Sequence, residues 1–371
     1  MMKKVWIGMF ILSLVNLTGA KAEWFDEMKF KGDLRYRFEN VDEEGKDARQ
    51  RDRIRARFGI FPRVNKEVDL GIQLTTGEEK ANKRAPTSGN ATLTDVSGKK
   101  GIFLDLAYFD YRPEFLKGFN LTGGKIKNPF ICVGDYIWDG DVTPEGLAAG
   151  YHVGSQLELL ANAGYFWIYE SSADDNKMLG GQLALKVKPS SDSYIMAGGS
   201  VYKFTDIKGT KAADLNWQGE AKAFGNSTES VVSGSTTNVL YADDFLEVEP
   251  FVEIGFKVVL PVKLFASYVV NTDADDNKNG FMAGVKLGKA GEPGTFEIAY
   301  DYRKLEKNAA LGALADSDSW GGGTDGKGHK ISAKYQLLKN WQLGAAFLID
   351  DKKLDDSTTY KRLQIDLAAN F

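Results

Sequence analysis

The feature that most constrains this 371-residue chain is a hydrophobic alternation of period two that recurs along its whole length. From Lys29 to Asn40, Phe30, Gly32, Leu34, Tyr36 and Phe38 fall on one face, and Lys31, Asp33, Arg35, Arg37 and Glu39 on the other. From Arg51 to Phe61, Ile54, Ala56, Phe58 and Ile60 face one way, and Arg51, Arg53, Arg55 and Arg57 the other. Side chains of a strand point alternately to its two faces, so each run reads as a strand with one apolar and one polar side. About sixteen such segments follow one another. They lie near residues 28–39, 51–61, 67–76, 102–112, 119–127, 146–153, 157–170, 179–188, 193–205, 244–259, 262–271, 280–288, 294–305, 328–337, 340–350 and 359–371. In 340–350, for example, Trp341, Leu343, Ala345, Phe347 and Ile349 share a face. Segments 102–112 and 193–205 are ambiguous in facing.

A soluble sheet can alternate in this way over its core. Two further signals favour a membrane barrel. The connections alternate short and long: Pro62 to Lys66, Pro113 to Gly118, Lys188 to Asp192, Leu260-Pro261, Lys289 to Gly294 and Lys339-Asn340 are short. Gly77 to Lys100, Asn128 to Glu145, Asp206 to Asn238 and Glu306 to Lys327 are long. Outer-membrane barrels have short periplasmic turns and longer extracellular loops. Leu363, Ile365, Leu367, Ala369 and Phe371 also alternate to the last residue, a lipid-facing strand with an aromatic end that suits barrel assembly. The expected fold class is therefore all-β: a transmembrane antiparallel up-and-down β-barrel of about sixteen strands, apolar outside and polar inside.

Composition agrees. Charged residues make up 26% of the chain, and beyond the N-terminus there is no apolar run near the ~20 residues that a spanning helix needs. Residues 1–22 have the form of a cleaved signal peptide: Lys3 and Lys4, an apolar stretch from Val5 to Leu17, then Ala20-Lys21-Ala22. A single barrel domain is expected over 23–371. Losing Lys3, Lys4 and Lys21 leaves 44 basic against 51 acidic residues, which argues against nucleic acid as a partner. One cysteine, Cys132, excludes an intramolecular disulfide, and the two histidines, His152 and His329, leave little material for a metal centre or a histidine-based triad. No cofactor, metal or catalytic residue is expected.

The polar faces carry the functional candidates. Arg35, Arg37, Arg51, Arg53, Arg55 and Arg57 lie on two adjacent strands and form a basic wall; the closing strand adds Arg362, and Lys125 and Lys127 extend it. Guanidinium groups match carboxylate and phosphate geometry. The loop Asn128 to Glu145 is acidic through Asp135, Asp139, Asp141 and Glu145, with an apolar centre at Tyr136, Ile137 and Trp138. Such a centre is expected to fold against the inner wall, so that the loop faces the arginines across a constriction. Glu247, Glu249 and Glu253 are expected on the opposite wall. Asp275-x-Asn277-x-Asn279-Gly280 begins like a calcium loop, but Lys286 stands where its bidentate Glu would be, and the segment reads as a turn.

The stretches Gly-Asp-Leu-Arg-Tyr-Arg-Phe-Glu, Arg-Asp-Arg-Ile-Arg-Ala-Arg-Phe-Gly, Leu-Asp-Leu-Ala-Tyr-Phe-Asp-Tyr-Arg-Pro, Gly-Gly-Lys-Ile-Lys-Asn-Pro-Phe and Trp-Asp-Gly-Asp-Val-Thr-Pro-Glu-Gly resemble the "putative porin" family of Gram-negative bacteria. The likeness covers roughly Lys29 to Gly150. It implies an outer-membrane channel for passive diffusion of small hydrophilic solutes and, by analogy with trimeric porins, an inward third loop and a homotrimer. It further implies lipid, lipopolysaccharide and the barrel-assembly machinery as partners. The alternatives are a channel selective for anionic solutes and an outer-membrane barrel enzyme, for which His152 with Ser155, or His329 with Asp325, are the only local pairs. An energised transporter needs a plug and about 22 strands, and a filled structural barrel needs fewer than sixteen.

Overall fold

The computed structural model describes residues 28–80, 82–94, 96–172 and 175–371. The proposed signal peptide lies outside the described residues.

Sixteen strands form the wall. They are β1 (Lys29–Glu43), β2 (Arg49–Phe61), β3 (Val68–Gly77), β4 (Gly101–Tyr111), β5 (Phe119–Lys125), β6 (Glu145–Gly154), β7 (Leu157–Tyr169) and β8 (Asn176–Ser190), followed by β9 (Ser193–Thr205), β10 (Phe245–Lys257), β11 (Pro261–Asn271), β12 (Asn279–Gly288), β13 (Phe296–Leu305), β14 (Gly326–Leu338), β15 (Trp341–Lys352) and β16 (Thr358–Asn370). Each pairs antiparallel with its sequence neighbours, and β1 also pairs with β16, from Asp33 opposite Asn370 to Glu43 opposite Tyr360. The sheet therefore closes on itself, with its first and last strands paired to each other. Each of the sixteen expected segments is one of these strands. The short connections lie at one end and the long ones at the other.

The facing follows the sequence pattern. Phe30, Leu34 and Tyr36 of β1 point out of the barrel, while Asp33, Arg37 and Glu39 are buried inside it. Ile72, Leu104, Leu147, Leu183, Ile298, Ile331 and Leu343 belong to the same outward apolar surface. No helix among the described residues is long and apolar enough to cross a membrane; a barrel crosses with strands.

Both ambiguous segments have a physical cause. In β4, Leu104 pairs with Leu74 and Leu106 with Gln73, so Asp105 is an extra residue in the ladder. This bulge shifts the parity: Ile102 and Leu104 face out, whereas Leu106 faces in. In β9 the inner face is itself apolar: Met196, Tyr202 and Phe204 are buried, and Tyr202 is covered by a loop inside the barrel.

That loop is residues 126–144, between β5 and β6. Phe130, Tyr136, Ile137 and Trp138 are buried within the barrel. The Phe130 ring meets Tyr202 edge-on at 5.0 Å, and Trp138 meets Tyr202 at 5.5 Å. A side chain at Gly180 would strike the Phe130 ring, its Cβ lying 2.3 Å from Cζ, so the bare glycine makes the berth for the loop. Burying each of these large side chains is worth about 1.5–3 kcal/mol, enough to hold the loop against the wall.

Candidate functional site

The lumen is built from the inner faces of β1, β2 and β16 and from two loops. In the β1–β2 register Arg35 stands opposite Arg55, and Arg37 opposite Arg53. Like charges directly opposed repel, and the protein answers with interleaved carboxylates. Asp33 takes Arg55 at 2.9 Å and Arg57 at 2.6 Å. Asp366 on β16 takes Arg37 at 2.6 Å and lies 3.8 Å from Arg35. Glu39, fully buried, accepts from Arg51 and from Arg362 Nε at 3.1 Å, and lies 3.9 Å from Arg53. Arg35 also donates to Asn90 Oδ1 at 2.7 Å. The seven arginines expected in the wall thus lie together, but as a salt-bridged array. Lys125 pairs with Glu145 at 2.8 Å on the neighbouring strands, whereas Lys127 is exposed beside Arg57 and Gln73 with no ion pair among the described residues.

The four expected loop acids are spread over different partners. Asp141 alone reaches the arginine wall, 3.3 Å from Arg55 and 3.6 Å from Arg57. Asp135 pairs instead with Arg303 at 2.7 Å and Lys330 at 3.0 Å. Burial works against its charge, but these two cations hold its carboxyl below the usual carboxylate range. Asp139 accepts the backbone N–H groups of Asp141 and Ser317, each at 2.9 Å, and so ties the two inward loops together. Burial first, then the nearby Asp316 carboxylate, push its carboxyl well above the usual range. Glu145 is the first residue of β6 and is exposed.

A second inward loop, residues 306–325 between β13 and β14, is a finding beyond the sequence reading. Leu311, Ala315 and Trp320 are buried within the barrel. Asp316 pairs with Arg303 at 2.8 Å, and Arg303, itself 1% exposed, is also held by Asp301. Asp318 lies 3.0 Å from Arg362 and 3.8 Å from Arg37. Burial opposes ionisation there too, yet the two guanidiniums hold the Asp318 carboxyl low. The loop's own signal was the run Leu311 to Trp320, which has the same mixture of apolar and acidic residues as the first loop.

Glu247 and Glu249 are on the inner face of β10, where they are buried beneath the loops. Glu247 accepts the Leu311 N–H at 2.8 Å, and Glu249 accepts from Ser267 at 2.6 Å. Tyr136 bonds the same Ser267 at 2.9 Å, so both carboxyls lie beneath the loops. Glu253 pairs with Lys263 at 3.0 Å and takes the Tyr194 hydroxyl at 2.6 Å.

Between these walls runs a succession of spaces. One of about 780 Å³ is bounded by Arg35, Arg37, Asp141, Arg303, Lys330 and Asp366. It shares Arg57, Asp105, Asp141 and Thr143 with a space of about 810 Å³ on the β3–β6 side. It shares Arg57, Gln73 and Lys127 with a third, of about 710 Å³, at the end of the short turns. Arg57 lines all three and its partner Asp141 lines two, so this pair stands at the junction of the spaces, termed the waist.

Comparison with known proteins agrees with this architecture. The sequence model of a family described as "Putative porin" matches residues 39–241 and 237–371. Pseudomonas putida OprB in its high-pH structure superposes with a TM-score of 0.58 at 12% identity, over 95% of this chain and 96% of that one. A loop L8 deletion mutant of OmpT, an outer-membrane protein of Vibrio cholerae, gives 0.53 at 14% identity, over 93% and 100%. Salmonella typhi OmpF in complex with daunomycin gives 0.53 at 12% identity, over 93% and 97%. No curated protein matches the sequence.

Proposed function

Because the chain belongs to the putative-porin family of the bacterial outer membrane, we propose that it works as a water-filled channel through which small hydrophilic solutes and ions diffuse passively. The observation that carries this reading is the succession of spaces inside a closed sixteen-stranded wall, all three lined by Arg57 and two of them by Asp141. Barrels of about sixteen strands are wide enough for an aqueous lumen, and charged groups at the narrowest point set selectivity. The interleaved arginines and carboxylates provide a transverse field there. They screen solutes by size and charge without any chemical step.

The protein assembles as a homotrimer in this reading; a trimer form is described for the Vibrio cholerae OmpT neighbour. Its outer loops meet lipopolysaccharide, and its last strand, ending at Phe371, is what the barrel-assembly machinery engages. An enzymatic role has no support in the histidine surroundings. Among the described residues His152 Nε2 lies 3.0 Å from Asn162 Oδ1 and His329 Nδ1 2.9 Å from the Tyr300 hydroxyl, rather than on Ser155 or Asp325.

The test is single-channel recording of the purified protein in a planar bilayer under a salt gradient. Stable conductance steps, grouped in threes, are expected. A well-folded barrel that passes no current would overturn the channel reading.

A further inference from the structure

Toward the long loops lies an outer vestibule of about 510 Å³. Lys46, Arg49, Arg51, Arg53, Lys352 and Arg362 line it, against only Glu43, Asp47 and Glu78. Adding Glu39 and Asp318, which pair with Arg51 and Arg362 from beyond the lining, still leaves one more cation than carboxylates. Two of the donors are underused. Arg53 is 6% exposed, yet its Nε has no hydrogen-bond partner within the protein, and its Nη2 makes only long contacts of 3.4 Å to Glu78 and the Asn90 carbonyl. Arg49 is exposed on the lining and has no ion pair among the described residues. A buried donor left unpaired is costly, and an oxyanion that reaches it removes the cost. Rings complete the lining: Trp217 and Phe224 from the loop between β9 and β10, and Tyr360 from β16. Guanidinium groups pair with oxyanions in plane and stack on flat rings, so this combination suits a solute with both features.

We propose that the outer vestibule is a binding site for small organic anions that carry a carboxylate or phosphate on a planar apolar body. This rests on the channel reading above and names the solute class that the channel concentrates before the waist. A site of this volume is in the range that holds one such molecule.

The experiment records open-channel current in salt alone, then adds phthalate, phenyl phosphate or succinate. Interruptions of the current by one or both aromatic anions, stronger than those by succinate, are expected; whichever anion blocks identifies the oxyanion bound. In a channel carrying Arg49→Gln and Arg51→Gln, losing two charge-assisted contacts raises the half-blocking concentration by about tenfold or more. Trp217→Ala removes the preference over succinate. Lys29→Gln with Lys31→Gln, at the opposite mouth, leaves the block unchanged. A conducting channel that neither aromatic anion interrupts, or whose block is the same in the arginine variant, overturns the vestibule site alone. Equal block by succinate overturns the requirement for an apolar body. Absence of any open-channel step instead sinks the channel reading.

Discussion

Asp141 reaches from the inward loop to Arg55, its Oδ1 lying 3.3 Å from Nη1. Asp33 holds the same guanidinium from the wall at 2.9 Å, and Arg57 sits between the same two carboxylates. One half of this balance is carried on a loop and can be removed without touching a strand. Asp141→Asn leaves the waist one positive charge richer. A unit charge 4 Å away shifts an ion's energy by about 1 kcal/mol even in water, roughly fivefold in local concentration. The reversal potential in a salt gradient should move toward the anion's equilibrium value, and the shift should shrink at high salt. An unmoved potential would place the ion path elsewhere.

The barrel seam makes a prediction about assembly. Gly32 and Phe371 exchange two backbone hydrogen bonds of 3.0 Å, and the Phe371 ring lies over Gly32 and near Phe58, at a centroid distance of 6.4 Å. A Cβ on Gly32 would lie 2.3 Å from the Arg57 carbonyl oxygen and 2.4 Å from the Phe371 ring, so it presses on β2 as well as on the terminal ring. Gly32→Val should therefore expel the ring, and deletion of Phe371 should remove both bonds, at a cost of about 1–2 kcal/mol. Heat-modifiable mobility on gels measures the folded fraction. Both variants should lose folded barrel, whereas Phe371→Tyr keeps it. Full folding of the deletion would show that the terminal pairing is dispensable.

These two cases mark what was readable from residues alone. Alternation fixes facing wherever one face meets lipid and the other water, so the sixteen strands, and the shared inner face of the β1 and β2 arginines, are legible in the residues. It falters where that contrast disappears, as at Tyr202, whose inner face is dry because a loop covers it. It also falters at Asp105, where one inserted residue reverses parity. The first inward loop announced itself through Tyr136, Ile137 and Trp138. The partners of its charges did not, since Asp135 and Arg303 are far apart in sequence and meet only because the loop folds across onto β13. Glu247 was placed on the correct face, but periodicity carries no information about what lies on top of a side chain.

Arg303 gives a prediction about that second loop. It is held by Asp301, Asp316 and Asp135, three carboxylates around one buried guanidinium, and Lys330 is a second cation on Asp135. Removing one partner of a buried ionic cluster strands the rest, typically at 3–5 kcal/mol. Arg303→Met should lower the thermal stability of the folded barrel and release residues 306–325 from the wall, which adds current noise and proteolytic sensitivity within that loop. Arg303→Lys, which retains the charge but loses the planar fork, should recover part of the loss. Wild-type stability in Arg303→Met would show that the cluster contributes nothing net.

Acid should act on the loops through Asp318 and Asp135. Arg362 and Arg37 hold the Asp318 carboxyl below its ordinary value, and Arg303 and Lys330 do the same for Asp135, each against the cost of burial. A carboxyl lowered in the folded state adds stability above its unfolded value, about 3.9, and loses it as pH falls through the lowered one. Asp139, pushed up, works with the opposite sign and adds stability that fades as pH rises. Asp318→Asn isolates the first effect, because Arg37 keeps Asp366 and Arg362 keeps Glu39. At neutral pH the variant should be destabilised by about 1–3 kcal/mol, the worth of hydrogen bonds to a charged group. That deficit should shrink once pH drops below about 4 and vanish in stronger acid. Thermal unfolding in detergent across this range measures it, and a deficit that stays constant with pH would rule out Asp318 as a source of acid sensitivity.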